Sequence, residues 1–185
     1  MSFLAIVLAF LSLFLIFYSV FTIFWLLTFI IGKIPPLPSS SKAARFLLSI
    51  IREKEGNPKV FVDLGSGFAT VLIEVKKNFP QIEVMGYENW PTQFLLSKLR
   101  LLISGINAQV IYKDLFKSNL KNADIVFCYL LPNFMEKLEP KLKKELKPGA
   151  LVIANTFPFP SWEPIQTIIT NEKRPDFEKI YTYAR

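Results

Sequence analysis

Val60-Phe61-Val62-Asp63-Leu64-Gly65-Ser66-Gly67 reads as a buried strand that runs straight into a glycine turn. Apolar residues at all but one of its first positions suit a strand covered on both faces. The glycines suit a turn whose backbone passes close to a ligand with no Cβ in the way. A helix is expected to open at about Ala69–Thr70, and its amino terminus can receive negative charge, here a carboxylate. Strand, glycine turn and helix in that order occur in several nucleotide-binding folds, so the surrounding residues have to choose among them.

The flanking pattern alternates short apolar runs with amphipathic stretches. Lys59–Leu64, Ile82–Tyr87, Ala108–Tyr112, Asp124–Tyr129 and Ala150–Asn155 read as strands. Thr70–Asn78, Pro91–Ile103 and Pro132–Leu146 read as helices between them. This alternation predicts an α/β fold, a Rossmann-like, doubly wound, mostly parallel sheet with helices on both faces. The tail differs: Ile165–Thr170 and Glu178–Tyr183 are strand-like, and Asn171–Phe177 joins them without a helical pattern, which predicts a C-terminal antiparallel hairpin.

Three carboxylates sharpen the reading of the turn. Asp63 is placed at the carboxyl end of the first strand, where ligands bind in such sheets. A carboxylate there would repel a pyrophosphate yet suit a cationic amino-acid moiety. Glu88 ends the second strand about 20 residues on, the place from which an acidic residue takes ribose hydroxyls. Asp114 is expected to end the third strand, within reach of an adenine amino group. Each alone reads as a solvated carboxylate or a cap; all three at successive strand ends read as a site.

The first part of the chain is of another material. From Phe3 to Ile31 there is no Asp, Glu, Lys or Arg, and every charged side chain lies at or beyond Lys33. A spanning helix needs about 20 apolar residues, so residues 1–32 read as a transmembrane anchor that meets lipid through residues 3–31. A cleaved signal peptide would want a basic start and a shorter apolar core. Residues 33–57 read as a connector, with Lys33-Ile34-Pro35-Pro36-Leu37-Pro38-Ser39-Ser40-Ser41 stiff and extended. A membrane-proximal helix Lys42–Lys54 follows, with Ala44, Leu47, Leu48 and Ile51 on one face. Residues 58–185 read as one domain, the one that carries the glycine turn. Basic residues only on the carboxyl-terminal flank place that domain in the cytoplasm and make the chain single-pass.

The net charge of +7 belongs wholly to the part after the apolar run. It reads as a basic face near anionic lipid headgroups rather than as a nucleic-acid surface, since no basic, aromatic-interleaved repeat is present. The chain has no histidine and one cysteine, Cys128, so a disulfide framework, a histidine metal site and structural zinc are not expected.

Asp63-Leu64-Gly65-Ser66-Gly67, Glu88 and Asp114 resemble the cofactor motifs of class I, seven-strand, S-adenosylmethionine-dependent methyltransferases. The terminal hairpin is similar to that fold's last two strands. A narrower resemblance is to membrane-anchored protein lysine methyltransferases whose mitochondrial members modify the ATP synthase c subunit and the ADP/ATP carrier. It is carried by the apolar start, Pro36–Ile51, Phe61–Gly67, Gly86-Tyr87-Glu88, Asp114-Leu115-Phe116 and Phe157-Pro158-Phe159-Pro160-Ser161-Trp162. It implies S-adenosyl-L-methionine held by Asp63, Gly65, Ser66, Gly67, Glu88, Asp114 and Leu115. It also implies a protein substrate whose lysine is bordered by the Phe157–Trp162 segment. Where the family continues its turn with Asp-Gly, this chain has Phe68-Ala69, and alanine suits that place only if its φ is negative.

A lysine amine with its usual pKa of about 10.4 is mostly protonated, and a desolvated aromatic slot would lower it. Tyr129, Pro132, Phe157, Pro158, Phe159 and Trp162 are the candidates for that slot, with core packing the plain alternative for the aromatics. Tyr129-Leu130-Leu131-Pro132 replaces the Asn/Asp-Pro-Pro-aromatic motif common in methyltransferases of DNA bases, which weakens nucleic acid as substrate and leaves a small-molecule acceptor open. A nicotinamide oxidoreductase would want a third glycine where Thr70 stands, and no carboxylate before the turn. A degenerate, non-catalytic membrane scaffold would keep the fold and fail to bind cofactor.

Overall fold

A computed structural model describes residues 3–32, 41–171 and 178–185. The connector 33–40 and loop residues 172–177 lie outside the described residues. The chain divides into two compact units, Met1–Leu37 and Pro38–Arg185.

Among its described residues the first unit holds one helix, α1 (Phe3–Gly32). From Phe3 to Ile23 it is long and apolar enough to cross a membrane, and none of that stretch is buried.

The second unit is a seven-stranded sheet in the order β3-β2-β1-β4-β5-β7-β6. Its strands are β1 (Val60–Leu64), β2 (Glu83–Glu88), β3 (Gln109–Tyr112), β4 (Ile125–Cys128), β5 (Leu151–Asn155), β6 (Gln166–Ile169) and β7 (Lys179–Ala184). β1 to β5 run parallel; β7 enters antiparallel between β5 and β6. The helices are α2 (Ser41–Glu53), α3 (Thr70–Asn78), α4 (Pro91–Ser104) and α5 (Pro132–Glu145). The expected boundaries hold to within a residue or two, the ordinary slack of element ends.

Side-chain alternation along β1 divides the core into two layers. Phe61 faces α2, α3 and α4 with Leu47, Ile51, Leu72, Val75 and Leu101. Val62 and Leu64 face α5 with Met135, Leu138 and Leu142. Helix α2 buries Ala43, Leu47, Ile50 and Ile51, so its inward stripe begins at Ala43 rather than at Ala44, which is only half-buried.

At the amino ends of the strands, Asp124 ties the sheet together. Its Oδ2 accepts from the amides of Lys59 and Val60 at 2.9 Å each, and its Oδ1 meets Lys147 Nζ at 2.7 Å. Burial pushes this carboxyl up, but the Lys147 and backbone hydrogen bonds outweigh it and hold the group below the usual carboxylate range.

Candidate cofactor and substrate site

The opposite, carboxyl ends of the strands carry the glycine turn. Gly65 and Gly67 have φ of 81° and 52°, where a Cβ is disfavoured. The Gly65 and Ser66 amides both donate to Tyr87 O, at 2.9 and 3.1 Å. The Gly67 amide donates to Glu88 Oε2 at 2.8 Å, and Glu88 Oε1 accepts from the Trp90 amide at 2.9 Å. The buried Glu88 carboxylate therefore holds the turn and the start of α4 in one geometry. The apposition of turn and β2 is close: a Cβ on Gly86 would stand 2.5 Å from Ser66 Cβ and 2.8 Å from Leu72 Cδ1.

Ser66 is buried with its hydroxyl unpartnered among the described residues and close to Gly86. Ala69, the residue before α3, has φ 58° and ψ 24°, so the condition that its φ be negative is not met: this alanine is left-handed and fully buried. No side chain caps α3, which leaves its first amides free to meet an anionic group. Arg100 Nη1 fastens the turn from outside, donating to Phe68 O at 3.2 Å and to Thr70 Oγ1 at 2.8 Å.

Asp63 stands behind the turn and is 3 % exposed. Burial, and secondarily the Glu88 carboxylate, raise its pKa to about 8. Among the described residues no cation pairs with it, so a ligand carrying a positive charge suits the place. Beside it the Cys128 thiol is pushed far up by burial and is inert as a nucleophile. β3 ends at Tyr112, so Asp114 does not end the strand as expected; it caps the single 3-10 turn Leu115–Lys117, with Oδ1 accepting from the Phe116 amide at 2.9 Å. The cap keeps Asp114 at the same edge of the sheet, and Leu115 is buried beneath it.

After β5 the chain makes a sharp corner. The Phe157 amide donates to Asn155 O at 2.9 Å around Thr156, whose φ is 71°. A three-residue turn with positive φ is rare, and more so at a β-branched residue. The corner launches the Phe157–Trp162 segment. Phe159 is buried and Trp162 partly so, and both pack on Tyr183, with centroids 5.0 and 5.3 Å from its ring. The Phe159 amide donates to Tyr183 Oη at 3.0 Å, and Glu139 Oε2 accepts from the Ser161 amide at 3.0 Å. Burial raises the Tyr183 hydroxyl to about 12, so it stays protonated. Phe157 is half-buried and Pro158 exposed on this layer; Tyr129 is half-buried against the other layer; Pro132 is exposed at the start of α5. Of the slot candidates, Phe159 is core and Trp162 shares its packing, whereas Tyr129, Phe157, Pro158 and Pro132 keep surface at the ligand end.

Glu139, Tyr183 and Arg100 are the supports that sequence reasoning missed. Each acts on a segment many residues away, and the only local signal was Glu139 set four residues before Lys143.

Residues 63–166 match the family model described as the ANTKMT methyltransferase domain. Among curated relatives, an adenine nucleotide translocase lysine N-methyltransferase of Mus musculus is 33 % identical over 138 residues, 74 % of this chain and 58 % of the relative. A second lysine N-methyltransferase of Mus musculus, named for the ATP synthase c subunit, is 34 % identical over 137 residues, 72 % of this chain and 53 % of the relative. The chain thus spans a little over half the length of these two relatives. Among solved structures, an RNA methyltransferase of Salinibacter ruber in complex with S-adenosyl-L-homocysteine superposes with a TM-score of 0.71 at 24 % identity, over 80 % of this chain and 93 % of that one, and shares the fold. The match takes in Asp63, the glycine turn and Glu88, and the chain belongs to the ANTKMT methyltransferase domain family.

Proposed function

We propose that the chain is an S-adenosylmethionine-dependent methyltransferase whose acceptor is a lysine of a membrane or membrane-proximal protein. The observation that carries this reading is Asp63. It is buried beside a glycine turn and an uncapped helix, with a pKa raised by burial and by the Glu88 carboxylate. S-adenosylmethionine brings an ammonium, a sulfonium, a carboxylate and ribose hydroxyls, and supplies the methyl group as an electrophile when bound. Asp63 answers the positive charge, the first amides of α3 the carboxylate, and Glu88 the ribose hydroxyls, since each of its oxygens keeps a lone pair beyond its one backbone bond. Gly65, Ser66 and Gly67 contribute close backbone, and Asp114 and Leu115 border the adenine.

The acceptor amine must arrive neutral and in line with the methyl. With no histidine in the chain, an apolar mouth that disfavours the ammonium supplies that condition. Tyr129, Pro132, Phe157 and Pro158 would form its walls with Trp162 packed behind them, and the aromatic faces of Tyr129 and Phe157 can hold the methylated cation. The lysine ammonium would give its proton to solvent on entering, and the bound cofactor would supply the methyl to the free lone pair, leaving a methylated ammonium and a neutral thioether. Curated relatives named for lysine methylation of a nucleotide translocase and of an ATP synthase component support the acceptor class. The apolar Phe3–Ile23 stretch supports the membrane placement.

Titration calorimetry of S-adenosylmethionine into the full chain in lipid nanodiscs tests the cofactor. Binding on the order of micromolar, lost in Asp63→Asn, is expected; no binding by a folded wild-type chain ends the reading. Labelled methyl supplied to membrane fractions then tests the acceptor. Label recovered on RNA, lipid or a small molecule rather than on lysine would overturn that part.

A further inference from the structure

Helix α4 is apolar on two opposite faces. One face, with Ser97 and Leu101, is buried against the sheet. The other carries Leu95, Leu96, Leu99, Leu102 and Ile103, all exposed, with Leu102 and Ile103 each 78 % so. At about 100° per residue these five fall within an arc of about 120° directly opposite the buried face. Lys98 and Arg100 stand on its two borders, and an open groove beside it is lined by Lys98, Leu99, Leu102 and Ile106. A soluble helix normally turns charge to water at that place, and a contiguous apolar patch of this kind marks an interaction surface.

We infer that this outer face of α4 lies in the headgroup boundary of an anionic lipid bilayer. Three features select lipid. An apolar face with cations on its borders is the form of a helix lying in a membrane interface, where the cations reach outward to phosphate. From Asn89 to Lys113 the charged residues are Lys98, Arg100 and Lys113, all basic, within a chain of net charge +7. The chain also carries its own apolar span candidate, Phe3–Ile23. Within the sheet unit, α2 lies on the same sheet layer as α4. The inference rests on α1 being a membrane span, and it adds a second contact that sets which layer of the domain faces the bilayer.

The full chain in vesicles of phosphatidylcholine and phosphatidylglycerol provides the test. Buried Cys128 leaves a single introduced cysteine free to carry a polarity-sensitive fluorophore. Leu102→Cys is the probe, and Lys144→Cys on α5, in the opposite layer, is the control. Both positions are exposed, so neither change disturbs packing. Emission at position 102 is expected to shift to the blue and to be quenched by spin-labelled acyl chains, with the control unaffected. Weaker quenching without phosphatidylglycerol, or at high salt, would match the role given to Lys98 and Arg100. If the chain floats with the vesicles while position 102 stays aqueous, the α4 contact is wrong and the span stands. Failure to float overturns both. Shielding that follows protein concentration and ignores lipid charge would mean a second copy of the chain covers the face, and would also overturn the proposal.

Discussion

Asp63 and Asp124 sit at the two ends of the same pair of strands, β1 and β4, and they titrate in opposite senses. Asp124, at the amino ends, is met by Lys147 and two amides and is held below its ordinary pKa. Asp63, near the carboxyl end of β1, is buried near another carboxylate and is raised to about 8. One sheet therefore has a finished end, where a carboxylate strengthens the fold, and an unfinished end, where a carboxylate has no cation beside it among the described residues. Such a difference between similar groups is what pKa-based site finding relies on. It also predicts that the two residues trade stability and ligand affinity differently.

The largest expected effect is on the unfinished end. Asp63→Asn should weaken S-adenosylmethionine by about 100-fold or more, the size expected when one member of a buried charge pair is removed. The pH profile sharpens the point. Below about 8 the free protein holds Asp63 protonated, so binding must expel a proton and affinity should rise about tenfold per pH unit. A ligand α-amino group with a pKa of about 8 makes the curve fall again above that, giving a bell whose ascending limb Asp63→Asn removes. Stability has its own sign. The folded pKa of Asp63 lies above the unfolded 3.8, so the folded state binds more protons between the two. Its contribution is fully present below about pH 4 and is lost as pH rises to about 8. Denaturant titrations at pH 5 and pH 8, with and without the substitution, check this. A wild-type and Asp63→Asn pair with the same pH slope would break the comparison.

Next in size is Gly86→Ala. Its new Cβ would meet Ser66 Cβ at 2.5 Å, and neither backbone can yield without moving the turn away from β2. Overpacking of this kind costs about 1–3 kcal/mol. The displaced turn should also lose cofactor affinity, which separates this change from a purely structural one. Thermal unfolding and calorimetry on one sample give both readouts. At the finished end, Asp124→Asn should cost about 1–2 kcal/mol, by loss of a charge-assisted contact to a partly exposed lysine and weaker acceptance from two amides, and should leave cofactor affinity unchanged. Asp124's contribution has the reverse sign to that of Asp63: it is present above the unfolded 3.8 and lost as pH falls through its lowered folded value.

The unfinished end was the more legible of the two. Val60–Gly67 carries its message in adjacent residues, so strand, turn and the start of α3 at Thr70 follow from local pattern alone. Asp63 and Glu88 could be placed because strand ends were readable. The clamps were not: Asp124 reaches residues 64 positions back and Glu139 one 22 positions on, and pattern carries no such range. Nor was the outer face of α4, because an apolar stripe in sequence looks the same whether it meets core or membrane. Asp114 shows the intermediate case: it stands two residues beyond the end of β3 and caps the 3-10 turn Leu115–Lys117 instead of ending the strand.

The smallest effect is expected at Ala69, where the chain has alanine although its backbone suits the family's glycine. Its φ of 58° is a conformation that costs an L-residue about 1–2 kcal/mol, and glycine would relieve it. Against that, glycine adds about 0.4–1 kcal/mol of unfolded-state entropy and removes a methyl that is fully buried, worth about 0.8 kcal/mol. The terms nearly cancel, so Ala69→Gly should change stability by less than about 1 kcal/mol in either direction and leave cofactor affinity within about twofold. If Ala69→Gly instead raised affinity tenfold, the left-handed alanine would be holding the turn out of its binding geometry, and the unfinished end would be damaged rather than poised.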